Sequence, residues 1–463
     1  MYLAMRSIRV HRPRPVRVRE LVSRPRNRFL GAVVATGLLG GAVGAAFLGA
    51  LHLVERALGP ERWSTRSHLL VLVAVGLAVA GITRLLGRPT DVELLVDNIH
   101  VEGGTRSLRN LRSLIPESLL CVGAGGSLGP ESPLVTTTGG LGSWLSLRLG
   151  LARSERRVVS IAGMAAGFTV LFGAPLGSTM FALEILHRRG MEYYEALLPS
   201  AIGSLCGYAV YVGVTGLGLE PMFRFPTVAE PELATLGWGV VAGVVGAAIA
   251  AAFTYLCVGL RRAVAHVPTG LRPAIGGALM GGLAFLTPHA LTNGELAMDH
   301  LNGTTVVAGT MLVAAGVKLA SAAIAVVTGW KGGFIIPLFF VGYCLARAAG
   351  PHLPGADEWL LAAALMTAAN VGVTKTPIGS TLVVTEMAGM VVLPSTLIAA
   401  LVSLLLTSGV GLIESQRKRF DPTEADLRPA APDDGASPDD GRARDDGAAP
   451  PATSPEVDGR AAC

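Results

Sequence analysis

The chain has little of what soluble proteins and disulfide-linked domains are built from. Of its 463 residues only 15% are charged and 5% are aromatic, whereas 51% are hydrophobic. Because soluble domains carry about 25% charged residues, this composition argues against a soluble protein. The five cysteines are scattered, without the spacing of a metal site or a disulfide framework. The zinc-enzyme motif His-Glu-x-x-His is also missing, and we expect no enzymatic activity, no metal and no cofactor.

Long apolar runs dominate the chain instead. A bilayer-spanning helix needs roughly 20 apolar residues. The runs that approach this length most clearly are 30–54, 69–86, 234–260, 304–328 and 395–413. Less regular apolar segments lie at 115–150, 158–186, 197–216, 273–291, 334–349 and 358–394. The runs do not alternate as barrel strands do, and the 59 glycines favour close helix packing. The sequence therefore predicts an all-α polytopic membrane protein.

The two ends of the chain differ from its middle. Nine arginines precede Phe29, in a basic arm (1–28) that leads straight into the first apolar run. Such a flank predicts a cytoplasmic N-terminus, and because the arm has no interleaved aromatics we favour this interpretation over nucleic-acid binding. The last segment, 417–463, starts with three basic residues and is rich in Asp, Gly and Pro, which predicts a disordered cytoplasmic tail. We expect the membrane domain to be 29–416, in the cell membrane.

The membrane domain contains two similar halves, about 29–216 and 234–416. Residues 30–47 align with 236–253 without gaps and share nine of eighteen positions. Residues 164–184 align with 366–386 and share seven of twenty-one, among them a Pro-x-Gly-Ser-Thr segment and a final glutamate. The most strongly helix-breaking segments of the two halves, Gly-x-x-x-Pro at 129–133 and at 333–337, also fall opposite each other. We infer an internal duplication.

Glu131 is the conspicuous charge of the first half. It is the only charged residue between Leu119 and Val135, and a carboxylate at membrane depth is costly and usually serves ion handling. The glycines and prolines around it interrupt the helix, and free N–H groups at a helix start attract anions. Paired interruptions in two halves point to a midplane binding site. The predicted anion-binding residues are Gly129, Pro130, Ser132, Pro133, Gly333, Phe334, Ile335 and Pro337, with Glu131 as a titratable gate.

Three motifs occur in the order found in one known family. They are Gly-Pro-Glu-Ser-Pro (129–133), Gly-Ala-Pro-Leu-Gly (173–177) and Gly-Gly-Phe-Ile-Ile-Pro (332–337). They resemble elements of the CLC family of chloride channels and proton-coupled chloride transporters, and the likeness runs from about 30 to 416. The resemblance implies two inverted repeats with broken half-helices, a prokaryotic type without a cytoplasmic regulatory domain, and a homodimer with one pore per subunit. It also implies that the Glu131 carboxylate occupies the external anion position, and that the amides of Phe334 and Ile335 line the central one.

Three positions depart from that family. Its anion-binding serine falls near Gly87, with Thr90 as a possible substitute, and its inner-gate tyrosine is replaced by Ile413. Proton-coupled members usually carry a glutamate at the position of Ile185, and isoleucine cannot carry a proton. Lys331 either raises the local anion concentration or extends to the membrane interface.

We therefore expect transport of chloride or a similar small anion across the membrane, gated by Glu131, by passive, channel-like conduction. Two alternatives stay open: a proton-coupled chloride or fluoride antiporter and, more remotely, a small-molecule secondary transporter, which would also use broken helices. The expected partners are the anion, membrane lipid and a second copy of the chain.

Overall fold

The fold is taken from a computed structural model that describes residues 25–188, 190–216, 223, 225, 226, 228, 233–416 and 418. All regular structure in these ranges is helical, which confirms the predicted all-α fold. The helices are α1 Pro25–Leu58, α2 Thr65–Leu86, α3 Val92–Glu102, α4 Leu111–Gly123, α5 Glu131–Arg148, α6 Arg153–Phe172, α7 Pro175–Glu184, α8 Leu197–Thr215, α9 Leu233–Ala263, α10 Arg272–Leu283, α11 Glu295–Asn302, α12 Ala308–Thr328, α13 Ile335–Ala349, α14 Glu358–Thr374, α15 Pro377–Ala388 and α16 Leu393–Leu406. Most of the predicted basic arm and nearly all of the predicted tail lie outside the described residues.

Five helical stretches are long and apolar enough to cross a membrane. They are Asn27–Arg62, Thr65–Leu86, Tyr194–Thr215, Thr235–Ala263 and Ala308–Thr328. Four of the five clear apolar runs of the sequence fall on them, whereas 395–413 overlaps the shorter apolar helix Met390–Leu406. Many of the other helices are too short to cross, which is the broken-helix pattern that the glycines and prolines predict.

Equivalent helices of the two halves pack in the same way. In the first half α1 packs against α6 and α8, and in the second half α9 packs against α14 and α16. The two halves meet where α7 crosses α15. The crossing is close because glycines lie at it: a Cβ on Gly177 would come 2.7 Å from Val383 Cα, and one on Gly379 would come 2.5 Å from Phe181 Cα.

A pair of carboxylates joins the same two helices. Glu184, at the end of α7, accepts hydrogen bonds from the N–H groups of Ile378 (3.1 Å) and Gly379 (2.7 Å) at the start of α15. Glu386 in α15 accepts the equivalent bonds from Leu176 (3.2 Å) and Gly177 (2.7 Å) at the start of α7. Each glutamate thus caps the helix of the other half, where its charge also complements the helix dipole.

Candidate functional site

The two interrupted segments lie side by side. Gly129 N–H donates to Gly333 O over 2.8 Å, and Gly333 N–H donates back to Gly129 O over 2.7 Å. Helix α5 begins two residues after the first glycine, and α13 begins two residues after the second. The reciprocal bonds therefore bring the N-terminal ends of two helices from different halves to one place. Helix N-termini present unpaired N–H groups and the positive end of the helix dipole, so this place favours an anion.

Glu131 occupies that place with its own side chain. It is 1% exposed, and its Oε1 accepts the N–H of Ile336 in the first turn of α13 over 2.7 Å. Its Oε2 is buried and lacks a hydrogen-bond partner in the described part of the chain. The carboxylate lies so close to Gly129 and Gly333 that a Cβ on either residue would contact it. A carboxylate of one half therefore occupies the N-terminal end of a helix of the other half.

The predicted anion-binding residues divide into two groups. Ser132, Gly333, Phe334 and Ile335 line a cavity of about 200 Å³ together with Glu131. The remaining predicted residues shape the backbone outside the cavity lining: Gly129, Pro130, Pro133 and Pro337. Pro133 and Pro337 lie in the first turns of α5 and α13, where a missing N–H leaves no helical bond unmade.

Two of the three positions that depart from the family pattern, Ile185 and Ile413, line the same cavity, and so does Thr90. Thr90 lines it and is 8% exposed, just before the N-terminus of α3. Gly87, near which the family's serine position falls, instead ends α2 with a φ of 92° and is exposed, whereas Thr90 brings a hydroxyl to the cavity wall. Ile185 and Ile413 also line the cavity, which therefore has apolar groups at these two positions.

Charged side chains line the cavity as well. Lys331 does so and is partly buried, and Arg261 from the end of α9 also lines the cavity. Glu93 is in the first turn of α3 and lines the cavity too. The cavity thus has basic groups that attract an anion and carboxylates that oppose it.

Sequence reasoning missed Glu117, a further buried carboxylate. It is fully buried in α4, and its Oε1 accepts the hydroxyl of Thr83 over 2.7 Å. Lys331 is within electrostatic range of it. A charge inside the apolar segment 115–150 is the sequence signal that could have identified Glu117. It lies just before the interrupted stretch around Glu131.

Two other buried lysines, Lys318 and Lys375, are not among the residues that line the cavity. The Nζ of Lys318 donates to the carbonyls of Leu291 (2.7 Å) and Thr292 (2.8 Å), and it closes a loop. The Nζ of Lys375 donates to the carbonyl and hydroxyl of Thr407 over 2.7 and 2.8 Å. In the described residues no group of three or more His, Cys, Asp or Glu side chains has the arrangement of a metal site.

Comparisons with known proteins agree with this geometry. Residues 87–408 match the family model described as voltage gated chloride channel. A chloride/fluoride channel protein of Pseudomonas syringae pv. tomato is 28% identical over 420 residues, 87% of this chain and 90% of that protein. A putative ClcB-like chloride channel protein of Ralstonia nicotianae is 29% identical over 349 residues, 69% of this chain and 77% of that protein.

Two solved structures share the fold. One is described as a slow cyanobacterial Cl⁻/H⁺ antiporter, with a TM-score of 0.73 and 18% identity, covering 83% of this chain and 95% of that one. The other is described as a CLC-type fluoride/proton antiporter, with a TM-score of 0.73 and 21% identity, covering 85% of this chain and 98% of that one.

Proposed function

The chain belongs to the voltage-gated chloride channel (CLC) family, and on that premise we propose that it conducts chloride or a similar small anion passively, with Glu131 as the gate. Anion transport by a multi-pass membrane protein follows from the family and the apolar helices. The proposal adds the gate, the passive mode, the cell membrane with both termini in the cytoplasm, the membrane domain at 29–416, and a homodimer with one pore per subunit.

The position of the Glu131 carboxylate is the observation that carries the proposal. Its Oε1 takes the N–H of Ile336 at the start of α13, a group that an anion would otherwise bind. A carboxylate and a chloride ion compete for the same donor, and protonation removes the negative charge of the competitor. Acidification or a high anion concentration therefore displaces the side chain and opens the site.

The rest of the cavity supplies weak, replaceable contacts for the anion. Thr90 offers a hydroxyl, and the backbone of Phe334 and Ile335 lies at the helix start. Such groups bind an anion without the full charge of a direct lysine contact, which suits an ion that has to leave again. Lys331 and Arg261 raise the local anion concentration from the cavity wall.

Passive conduction is favoured by Ile185, which lines the cavity where a proton-transferring glutamate would be needed. The antiporter is the second candidate, because Glu117 is a further buried carboxylate within electrostatic range of Lys331. The reversal potential of the wild-type protein under imposed chloride and proton gradients separates the two. A potential that follows chloride alone supports the channel, and one that shifts with pH supports the antiporter.

The gating role is tested by Glu131→Gln in liposomes loaded with chloride. We expect wild-type efflux to rise as the pH falls, because protonation of Glu131 frees the N–H of Ile336. Efflux through Glu131→Gln should be high and independent of pH. Glu102→Gln is the matched control, since Glu102 is partly exposed in a surface pair with Arg106, and it should behave as wild type.

Two outcomes contradict the proposal in different ways. Full pH dependence in Glu131→Gln would reject the gate but not anion transport. A wild-type protein that is folded and releases neither chloride nor fluoride would reject anion conduction and favour the small-molecule transporter.

A further inference from the structure

Part of the cavity wall is formed by a segment that is neither helix nor strand. Helix α16 ends at Leu406, and Leu412 and Ile413 line the cavity a few residues later. We call residues 407–416 the mouth segment. Because its backbone forms no helix or strand, side-chain contacts to the rest of the protein decide where Ile413 lies.

Gln416 fixes one end of the mouth segment. Its Nε2 donates to Thr374 O over 2.7 Å and to Ile185 O over 3.0 Å, and the side chain is 6% exposed. Thr374 ends α14 in the second half and Ile185 follows α7 in the first half, and both residues line the cavity. One carboxamide therefore connects three separate parts of the cavity wall.

Lys375 fixes the other end, through its two bonds to Thr407. The contacts in between are more exposed. Arg188 donates to Gly409 O over 3.2 Å, and Arg261 lies 3.8 Å from a Glu414 carboxylate that is 83% exposed. Exposed ion pairs contribute little, whereas buried hydrogen bonds are stronger and costly to leave unmade. The Glu93 carboxylate also contacts the Glu414 backbone, and Gln416 is the side chain of the segment itself that makes buried hydrogen bonds next to Ile413.

We propose that Gln416 is the positioning residue of the cavity mouth: it holds Leu412 and Ile413 against Ile185 and Thr374, and it thereby limits the size of the anion that passes. The inference rests on the proposed function, because it takes the cavity as the anion path. Ile413 forms the apolar wall and Gln416 sets its distance from the opposite wall. Loosening this constraint widens the mouth and admits larger anions.

The first test is Gln416→Met, which keeps the length of the side chain and removes both N–H donors. The measurement is the ratio of thiocyanate flux to chloride flux into liposomes, together with the thermal unfolding midpoint. We expect the ratio to rise about fivefold, the factor equivalent to losing about 1 kcal/mol of positioning energy. Arg188→Gln removes a more exposed contact of the same segment and should leave the ratio unchanged. A lower unfolding midpoint with an unchanged ratio would show a structural role only and would overturn the proposal.

Gln416→Glu supplies an independent test, made in the Glu131→Gln background so that the gate adds no pH dependence. At acidic pH the protonated carboxyl still donates one hydrogen bond to a carbonyl, whereas at alkaline pH the carboxylate faces two carbonyl oxygens and is repelled. The flux ratio should therefore rise with pH in this variant and stay constant in Glu131→Gln alone. A ratio of thiocyanate flux to chloride flux that does not change with pH would contradict the inference and leave the proposed function intact. If the wild-type protein carries no anion flux, both the proposed function and this inference are wrong.

Discussion

The two halves of the protein present the same backbone at the centre and different side chains. Counted from the paired glycines, Glu131 of the first half corresponds to Ile335 of the second. The first half thus supplies a carboxylate, and the second half supplies the N–H of Ile336 that binds it. The paired glycines bring two helix starts together, and one asymmetric side chain, that of Glu131, occupies the space between them.

The crossing of α7 and α15 shows the opposite case. Here both halves keep the same residues, a glycine at the contact and a glutamate at the helix end, and the hydrogen bonds are reciprocal. In these symmetric contacts, each half stabilises the start of a helix of the other half. Identical pairs thus join the halves at this crossing, whereas the unequal pair Glu131 and Ile335 lines the cavity.

A third pair of equivalent residues shares its backbone conformation but differs in its side chains. Gly173 and Lys375 both follow a long helix with positive φ, 63° and 62°. Glycine adopts this conformation without strain, whereas lysine does so at some cost. The second half uses the lysine to bind Thr407, the first residue of the mouth segment, so the asymmetry again falls beside the cavity.

Breaking the symmetric crossing should have the largest effect. Gly177→Val and Gly379→Val each place carbon atoms against the backbone of the opposite helix, which cannot move aside as a side chain can. We expect each to lose more than about 3 kcal/mol of stability and most of the folded protein, by overpacking. The yield of monodisperse protein in detergent measures this. Gly316→Val, at an open position of α12, is the control, and equal losses there would contradict the explanation.

Filling the space around the asymmetric carboxylate should have the next largest effect. Gly129→Ala and Gly333→Ala both place a methyl group against the Glu131 side chain and should expel it from the start of α13. We expect chloride efflux at neutral pH to rise about tenfold, equivalent to losing one charge-assisted hydrogen bond. In a Glu131→Ala background neither change should raise efflux further. A rise that persists there would mean that the glycines act on something other than the carboxylate.

Removing one carboxylate of the symmetric pair should have the smallest effect. Glu184→Gln and Glu386→Gln each keep one acceptor oxygen and lose the charge, so we expect about 1–3 kcal/mol of destabilisation. Glu184 is 3% exposed and Glu386 is more exposed, so Glu184→Gln should lower the thermal unfolding midpoint more. The surface variant Glu102→Gln serves as the reference. Equal midpoints for all three proteins would rule out a stabilising role for the reciprocal caps.

Much of the site was predictable because its signals are local. Gly129, Glu131 and Pro133 lie within five residues, and their types alone indicate a broken helix with a buried charge. Thr90 was harder, because the family pattern pointed to Gly87, and only the turn at the end of α2 shows which residue reaches the cavity. Gln416 gave no signal, since its two acceptors are backbone carbonyls 42 and 231 residues away.

The sequence by itself determined the membrane class, most of the helices, the duplication and the interrupted segment around Glu131, since composition, periodicity and internal repeats are properties of the chain alone. Only the tertiary structure decided which N–H meets the carboxylate, which hydroxyl faces the cavity and which side chains hold its mouth. These are contacts between residues far apart in the sequence. Many residues of the chain carry the same chemical groups, and the packing of the helices determines which of them meet.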